Sequence, residues 1–337
     1  MNYNENLDLA INQVGITSYL QKIDMSAVRN EILAGLSASG KYISSKFFYD
    51  EKGSGLFEKI TKLPEYYPTR CEKEILQSID LSFLKTYENL HILELGSGDH
   101  TKISLLLNHI PTVFFNTLTY YPIDISKSAI QDACEKLVDR YQNITIQGFV
   151  ADFVQQLDII PHGKNRLFCF LGSTIGNFTE EQRIDFLVKM NQIMTDDDYF
   201  LLGVDTIKNK IILENAYNDK QGITEAFNLN VLNVVNAICE TDFDTNDFKH
   251  IAFFNEDKKR IEMHLEALTD VVVKSNIVPV EIFIAKGERI HTEYSHKFDD
   301  NMISHMAEKS EFQTTKVFSD KNAHFKLILF TKARTVN

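Results

Sequence analysis

Glu94-Leu-Gly-Ser-Gly98 is the stretch of this sequence best suited to holding a ligand. Leu90, Ile92, Leu93 and Leu95 read as a buried parallel strand. Gly96 and Gly98 then allow a sharp turn and close approach of the backbone to a bound group. Such a turn at the carboxyl end of a strand is where open α/β sheets hold nucleotides. The spacing argues against two nucleotide classes. A dinucleotide fingerprint needs a third glycine where Thr101 stands, and a ribose-binding acid about 20 residues further on. The best acid at a strand end, Asp124, comes later. No Gly-Lys-Ser/Thr follows the turn, so a Walker phosphate loop is absent.

These residues need a sheet to position them, and the sequence supplies one. Strand 90–95 leads to a helix over 101–109, and strand 119–125 to a helix over 127–139 capped by Ser126. Strand 144–151 ends in Asp152. Strand 166–171 passes through Gly172-Ser-Thr-Ile-Gly-Asn177 to a helix over 180–194, where Thr179 and Gln182 have capping-box spacing. Strand 199–205 follows. Strands alternating with helices imply a parallel, doubly wound sheet. Upstream, Asp24 caps a helix over 25–36, and Thr69-Arg-Cys-Glu72 has the spacing of a capping box for a helix reaching Ile79. Beyond 207 the alternation stops. Helices near 209–218 and 223–237 precede strand-like segments at 249–255, 260–268 and 278–285, and segments 313–319 and 324–331 read as a hairpin. The expected domains are 71–207 with 298–337, and 1–70 with 208–297.

Composition bounds the partners. The 337 residues carry a net charge of −12, which disfavours nucleic acid as a ligand because phosphate backbones need basic surfaces. Cys71, Cys134, Cys169 and Cys239 lie far apart, without metal-ligand or redox spacing, so no metal is expected. Residues 1–6 have neither a basic start nor an apolar core, and no run of 18 apolar residues occurs. A cytoplasmic chain with no membrane partner is expected, and a monomer is favoured.

An acid before a Gly-x-Gly, another acid ending the next strand and a hairpin closing the sheet resemble the class I, Rossmann-like S-adenosylmethionine methyltransferases. Where those enzymes carry a third glycine this chain has His100. A narrower resemblance runs from about residue 44 to 332. Phe48-Tyr49-Asp50, Leu63-Pro-Glu-Tyr-Tyr-Pro-Thr-Arg70, Glu94–Gly98, Gly172–Asn177, Ala226-Phe-Asn-Leu-Asn230 and Thr292-Glu-Tyr-Ser295 are together similar to the histidine-specific Nα-methyltransferases of ergothioneine biosynthesis. The resemblance implies three successive methyl transfers from S-adenosylmethionine to the α-amine of L-histidine, giving hercynine. It implies a class I methyltransferase domain with a terminal β-hairpin, joined to a second α+β substrate domain.

The resemblance also implies roles for particular residues. Gly96 and Gly98 would meet the methionine portion of the cofactor with Lys102 near it, Asp124 would accept the ribose hydroxyls, and Asp152 with Phe153 would hold the adenine. Asn177 would bind the α-amine, with Tyr49 and Tyr66 beside it and its water; a phenol ring can also face a methylammonium. Tyr217 would hold the carboxylate. Glu293 and Ser295, on one face of a strand, would take the two imidazole nitrogens, and Met263 would line the ring. Tyr294 and His296 would face the other way, and Leu229 stands where a basic or other residue is common. The alternatives are an N-methyltransferase of another amino acid, such as dimethylallyltryptophan, or a non-catalytic S-adenosylmethionine-binding protein. A paired Glu and Ser offers little to an indole.

Overall fold

The computed structural model describes residues 14–20, 24–277 and 281–333. In chain order its strands are β1 (Val14–Ser18), β2 (His91–Leu95), β3 (Thr119–Asp124), β4 (Thr145–Val150), β5 (Arg166–Phe170), β6 (Tyr199–Asp205), β7 (Phe248–Asn255), β8 (Arg260–Ala267), β9 (Val271–Lys274), β10 (Glu281–Ile284), β11 (Arg289–His296), β12 (Phe312–Ser319) and β13 (Phe325–Lys332). The described residues form two compact units. The first draws on the described residues within 1–21, 70–206 and 298–337, the second on those within 22–69 and 207–297. No helix among the described residues is long and apolar enough to cross a membrane.

The first unit is built on one sheet of order β1-β4-β3-β2-β5-β6-β13-β12. Strands β1 to β6 pair in parallel, and β13 runs antiparallel to both β6 and β12. Every residue of β5 and β6 is buried, as a sheet covered on both faces requires. Strand order reverses at β2, whose neighbours are β3 and β5, so the glycine turn after β2 lies at the crevice where such sheets bind ligands. The expected caps form. Ser126 accepts from the Ala129 N–H, and Thr179 with Gln182 makes a reciprocal capping box.

Four features differ from the sequence expectation. Strand β1, which a short Gly-containing segment did not announce, extends the sheet beside β4, so this part of the first 70 residues joins the large sheet. The helix Tyr67–Ser78 starts ahead of Thr69, which leaves Thr69 and Glu72 inside the helix rather than at a capping box. A helix at Asp300–Lys309, capped by Asp299, precedes the hairpin. The segment read at 278–285 is a strand only at Glu281–Ile284, paired with β9, while residues 278–280 lie outside the described residues.

The second unit holds the antiparallel sheet β11-β8-β7 and the pair β10-β9. Helix Ile223–Cys239 lies against β7 and β8 and against helix Glu51–Ile60. Asp50 caps that last helix at the Gly53 N–H and also accepts from Asn230 Nδ2 at 2.9 Å. A side chain at Gly53 would meet the Phe48 carbonyl at 1.7 Å. The pairing of Phe48 with Phe227, ring centroids 4.6 Å apart, fastens the same two segments.

One buried ion pair anchors the first unit away from the ligand crevice. Asp198 is fully buried and accepts from Arg166 Nη2 at 2.6 Å, Arg166 Nε at 3.1 Å and the Arg166 and Thr195 N–H groups. Breaking a buried pair strands a charge, at a cost of about 3–5 kcal/mol. We therefore expect Asp198→Ala to lower unfolding free energy by that order in urea titrations, while the folded fraction binds S-adenosylmethionine with unchanged affinity. Equal stability of the variant would show that the pair contributes nothing net.

Candidate active site

Candidate residues fall in both units. In the first, β2 ends in Leu95 and the chain turns at Gly96 (φ +67°) and Gly98 (φ +49°), values in the left-handed region that favours glycine. A Cβ on Gly96 would lie 3.4 Å from the Phe153 ring, and a Cβ on Gly98 would face open space. Asp124, at the end of β3, closes the turn. Its carboxylate accepts from the Gly98 N–H at 3.0 Å and the Ser126 N–H at 2.9 Å. Burial raises its pKa against the lowering effect of these bonds. Asp152, just after β4, accepts from the Val154 N–H at 3.0 Å and so turns the chain that carries Phe153.

The loop after β5 is held from below. Gly172 (φ +79°) and Ser173 (φ +58°) bend the chain into a short helical turn, Thr174–Asn177. Ser173 Oγ accepts from the Asp205 N–H at 2.9 Å. Glu72 is fully buried, accepts from the Gly172 N–H at 2.7 Å and pairs with Lys102 Nζ at 2.8 Å. Gly203 in β6 makes room for it, since a Cβ there would lie 2.6 Å from its carboxylate. Asn177 is half-buried, and its amide has no hydrogen-bond partner among the described residues. Glu94 is also buried. Burial lifts its pKa to about 8, although Tyr120 Oη donates to it at 2.5 Å and Lys102 carries opposite charge nearby.

In the second unit, Glu293 stands opposite Met263 and Ser295 opposite Ile261, on one face of β11 and β8. A β-bulge at Thr292 sets this face. His291 pairs with His264, so without the bulge period-two alternation would put Glu293 on the His291 side. Tyr294 lies on the other face, its ring 3.8 Å from His291 and under the Arg260 guanidinium at 3.5 Å. Glu293 is buried, and its carboxylate has no hydrogen-bond partner among the described residues. Burial raises its pKa to about 7, with Lys297 pulling it down.

Tyr217 and Ser295, read from sequence as contacts for different ends of a substrate, are bonded to one another. Tyr217 Oη donates to Ser295 Oγ at 2.8 Å, and the buried Lys297 donates to both. Tyr49 and Tyr66 are linked through Phe57, whose ring centroid is 5.7 Å from one and 6.3 Å from the other; Tyr66 is also 6.3 Å from Tyr217. Leu229 is half-buried on helix Ile223–Cys239.

A sheet of this order with a reversed strand in its hairpin, a glycine turn at the switch point and an acid ending the next strand define a Rossmann-like, S-adenosylmethionine-dependent methyltransferase. Residues 28–332 match the family described as histidine-specific, SAM-dependent methyltransferases, and the chain belongs to that family. It is similar to the histidine N-alpha-methyltransferase of Mycolicibacterium smegmatis, 39% identical over 86% of this chain and 90% of that one. The corresponding enzyme of Mycobacterium tuberculosis is 35% identical over 91% and 95%. The ergothioneine biosynthesis protein 1 of Schizosaccharomyces pombe is 28% identical over 86% of this chain and 39% of its own length.

Sequence reasoning missed several residues that hold these groups. Glu72 passed as a helix-capping acid. Lys297 continues the alternation 293, 295, 297, which is a usable signal. Asn228, fully buried, donates from Nδ2 to His250 Nδ1 at 2.8 Å, and His250 Nε2 donates to the Tyr217 carbonyl at 2.8 Å. That relay requires a neutral His250, and burial lowers its pKa. Burial also lowers those of His264 and of His291, which falls to about 4 with His264 beside it.

A folded-state His pKa below the unfolded value means that the unfolded chain binds more protons once the pH drops under about 6.5. Stability from the neutral ring is therefore complete above 6.5 and lost as the pH falls toward 4. We expect the stability advantage of wild type over His291→Asn to shrink by at most about 3 kcal/mol across this window in urea titrations. A difference that stays constant with pH would show that His291 charges as easily folded as unfolded.

Proposed function

We propose that this protein transfers methyl groups from S-adenosylmethionine to the α-amine of L-histidine, three in succession, giving Nα,Nα,Nα-trimethylhistidine (hercynine) on the route to ergothioneine. Glu293 is the observation that carries the reading. A buried carboxylate without a protein hydrogen-bond partner is costly unless a ligand supplies the donor, and an imidazole N–H is such a donor. Ser295 on the same face serves the other ring nitrogen, and Met263 packs beside them. The names of the two mycobacterial relatives support the same substrate.

The first unit fits the methyl donor. The open space at Gly98 and the bare backbone at Gly96 leave room for its methionine portion. Lys102, held by Glu72, lies next to the same turn, while Asp124 receives the ribose hydroxyls and Asp152 with Phe153 the adenine. When bound, S-adenosylmethionine supplies an electrophilic methyl group, so the protein's task is orientation. Asn177 offers its unpaired amide to the α-amine, which must be neutral to attack. We assign Tyr49 and Tyr66 to the amine and to the water that takes its proton, since a phenol ring can face a growing methylammonium. Tyr217 turns its hydroxyl hydrogen from Ser295 to the substrate carboxylate. We place the reaction in the cytoplasm, with no nucleic-acid or membrane partner.

Mass spectrometry of histidine incubated with the protein and excess S-adenosylmethionine tests the reading. Mono-, di- and trimethyl products should appear in order, with the trimethyl form accumulating. Methylation of another amino acid in preference to histidine would overturn the substrate assignment, and no methylation of any would favour a binding protein.

The specificity residue has its own test. Glu293→Ala leaves an imidazole N–H unpaired, which costs about 1–3 kcal/mol, or roughly five- to a hundredfold in KM for histidine. Affinity for S-adenosylmethionine should not move. In wild type, KM for histidine should rise as the pH falls below about 7, because Glu293 loses the charge that accepts the N–H. Histidine preference that survives in Glu293→Ala, measured against phenylalanine and tryptophan, would reduce Glu293 to a buried strand residue.

A further inference from the structure

The hydrogen bonds around Ser295 give a task to a residue that the site assignments above leave out. We propose that Lys297 is a positioning residue of the imidazole site. Its ammonium holds Ser295 Oγ as an acceptor toward the protein, so the Ser295 hydroxyl donates to the substrate ring and the site takes the neutral imidazole as a single tautomer. The proposal rests on the reading of Glu293 and Ser295 as ligands of the imidazole.

Lys297 is fully buried, directly after β11. Its backbone N–H donates to the Lys259 carbonyl at 2.8 Å, which fixes where the side chain begins. Nζ donates to Ser295 Oγ at 2.8 Å and to Tyr217 Oη at 3.0 Å, and lies 4.8 Å from the centre of the Tyr217 ring. An ammonium has donors only, whereas a hydroxyl has one hydrogen and two lone pairs. Tyr217 Oη and Lys297 Nζ occupy both lone pairs of Ser295. What Ser295 can still offer is its hydrogen. When Tyr217 turns to the substrate carboxylate, the Lys297 ammonium still occupies one lone pair of Ser295, and its charge turns the hydroxyl hydrogen away from Nζ.

Glu293 presents the opposite chemistry, since an ionised carboxylate only accepts. The two side chains stand on one face, two residues apart on β11. A ligand ring therefore meets one acceptor and one donor. Neutral imidazole has one N–H and one bare nitrogen and satisfies both in one orientation. An imidazolium would turn a second N–H against the serine hydrogen, and a phenyl ring would leave both groups unpaired, which a hydrogen-bonding site rejects strongly. The Lys297 charge also favours the ionised form of Glu293.

The direct test uses histidine labelled with ¹⁵N at both ring nitrogens, bound to the full chain with S-adenosylhomocysteine at a pH where free histidine has a neutral ring. The bound spectrum should show one pyrrole-type and one pyridine-type nitrogen in place of the averaged pair of the free amino acid. In Lys297→Met the fixed pair should collapse toward averaging. KM for histidine should rise about tenfold or more, the scale of a lost hydrogen bond to a charged group, with S-adenosylhomocysteine affinity unchanged. The double variant Ser295→Ala/Lys297→Met should be no worse than the worse single variant, because Lys297 acts through Ser295. An averaged or imidazolium ring in wild type overturns the inference, as does a fixed tautomer in folded Lys297→Met or strict additivity of the two changes. Should Lys297→Met fail to fold, the wild-type spectrum and its change in Ser295→Ala decide the matter. Failure of the wild type to bind histidine at all overturns the substrate reading itself, which is a different result.

Discussion

A carboxylate taken out of water must find a cation or hydrogen-bond donors, or it keeps a proton. The chemistry of both units is arranged around carboxylates under that constraint, and each meets it differently. Asp198 has a guanidinium and two backbone N–H groups, so it is settled as a structural anchor. Glu72 takes an ammonium and one N–H, and by doing so ties Lys102 to the loop that carries Asn177. Asp124 is held at the glycine turn by two N–H groups, one of them from Gly98 itself. Glu94 is pushed to a pKa of about 8 and shares a hydrogen bond with Tyr120. Glu293 differs from all of these. No described residue gives it a hydrogen bond, and a cation at some distance offsets only part of its burial. That condition is the ground on which we propose a donor from outside the chain for it.

Backbone geometry decides which groups are left in that condition. In the parallel sheet, the strand order reverses at β2, so the turn with Gly96 and Gly98 opens where no neighbouring connection crosses it. Positive φ at Gly172 and Ser173 bends the next loop, and the Glu72 carboxylate and the Asp205 N–H hold that bend. In the antiparallel sheet the corresponding device is the bulge at Thr292. It separates His291 from Glu293, so that Tyr294 and Arg260 cover one face while Glu293, Ser295 and Met263 share the other. Behind this face, the Asn228–His250 relay grips the Tyr217 backbone and Lys297 grips its hydroxyl.

Local sequence signals were sufficient wherever a side chain acts on its own neighbourhood. Apolar runs ending in glycine or an acid marked β2 to β6. Ser126, Thr179 with Gln182, and Asp24 marked helix starts, because capping bonds reach only two or three residues. The terminal hairpin and the change of pattern beyond residue 207 were legible for the same reason. Six short motifs, read together, were enough to indicate the family. By contrast, strand β1 has too little pattern of its own to be seen, and its existence depends on the open edge of β4, some 130 residues away in sequence.

The sequence by itself determined the alternation of strands and helices and the glycine turn after β2, which follow from periodicity and turn chemistry within short windows, while its six motifs carried the resemblance to the family. Tertiary structure alone decided which polar groups are spent and which are left over. Glu72 looked like a cap because its partners, Gly172 and Lys102, are adjacent only in the folded sheet. Tyr217 and Ser295 looked independent because 78 residues separate them, yet one ammonium holds both. The bulge at Thr292 has no marker in sequence, since inserting one residue into a ladder requires a partner strand. Burial shifts the charge of a carboxylate or a histidine, hydrogen bonds from distant residues fix the histidine tautomer, and both are properties of the assembled chain.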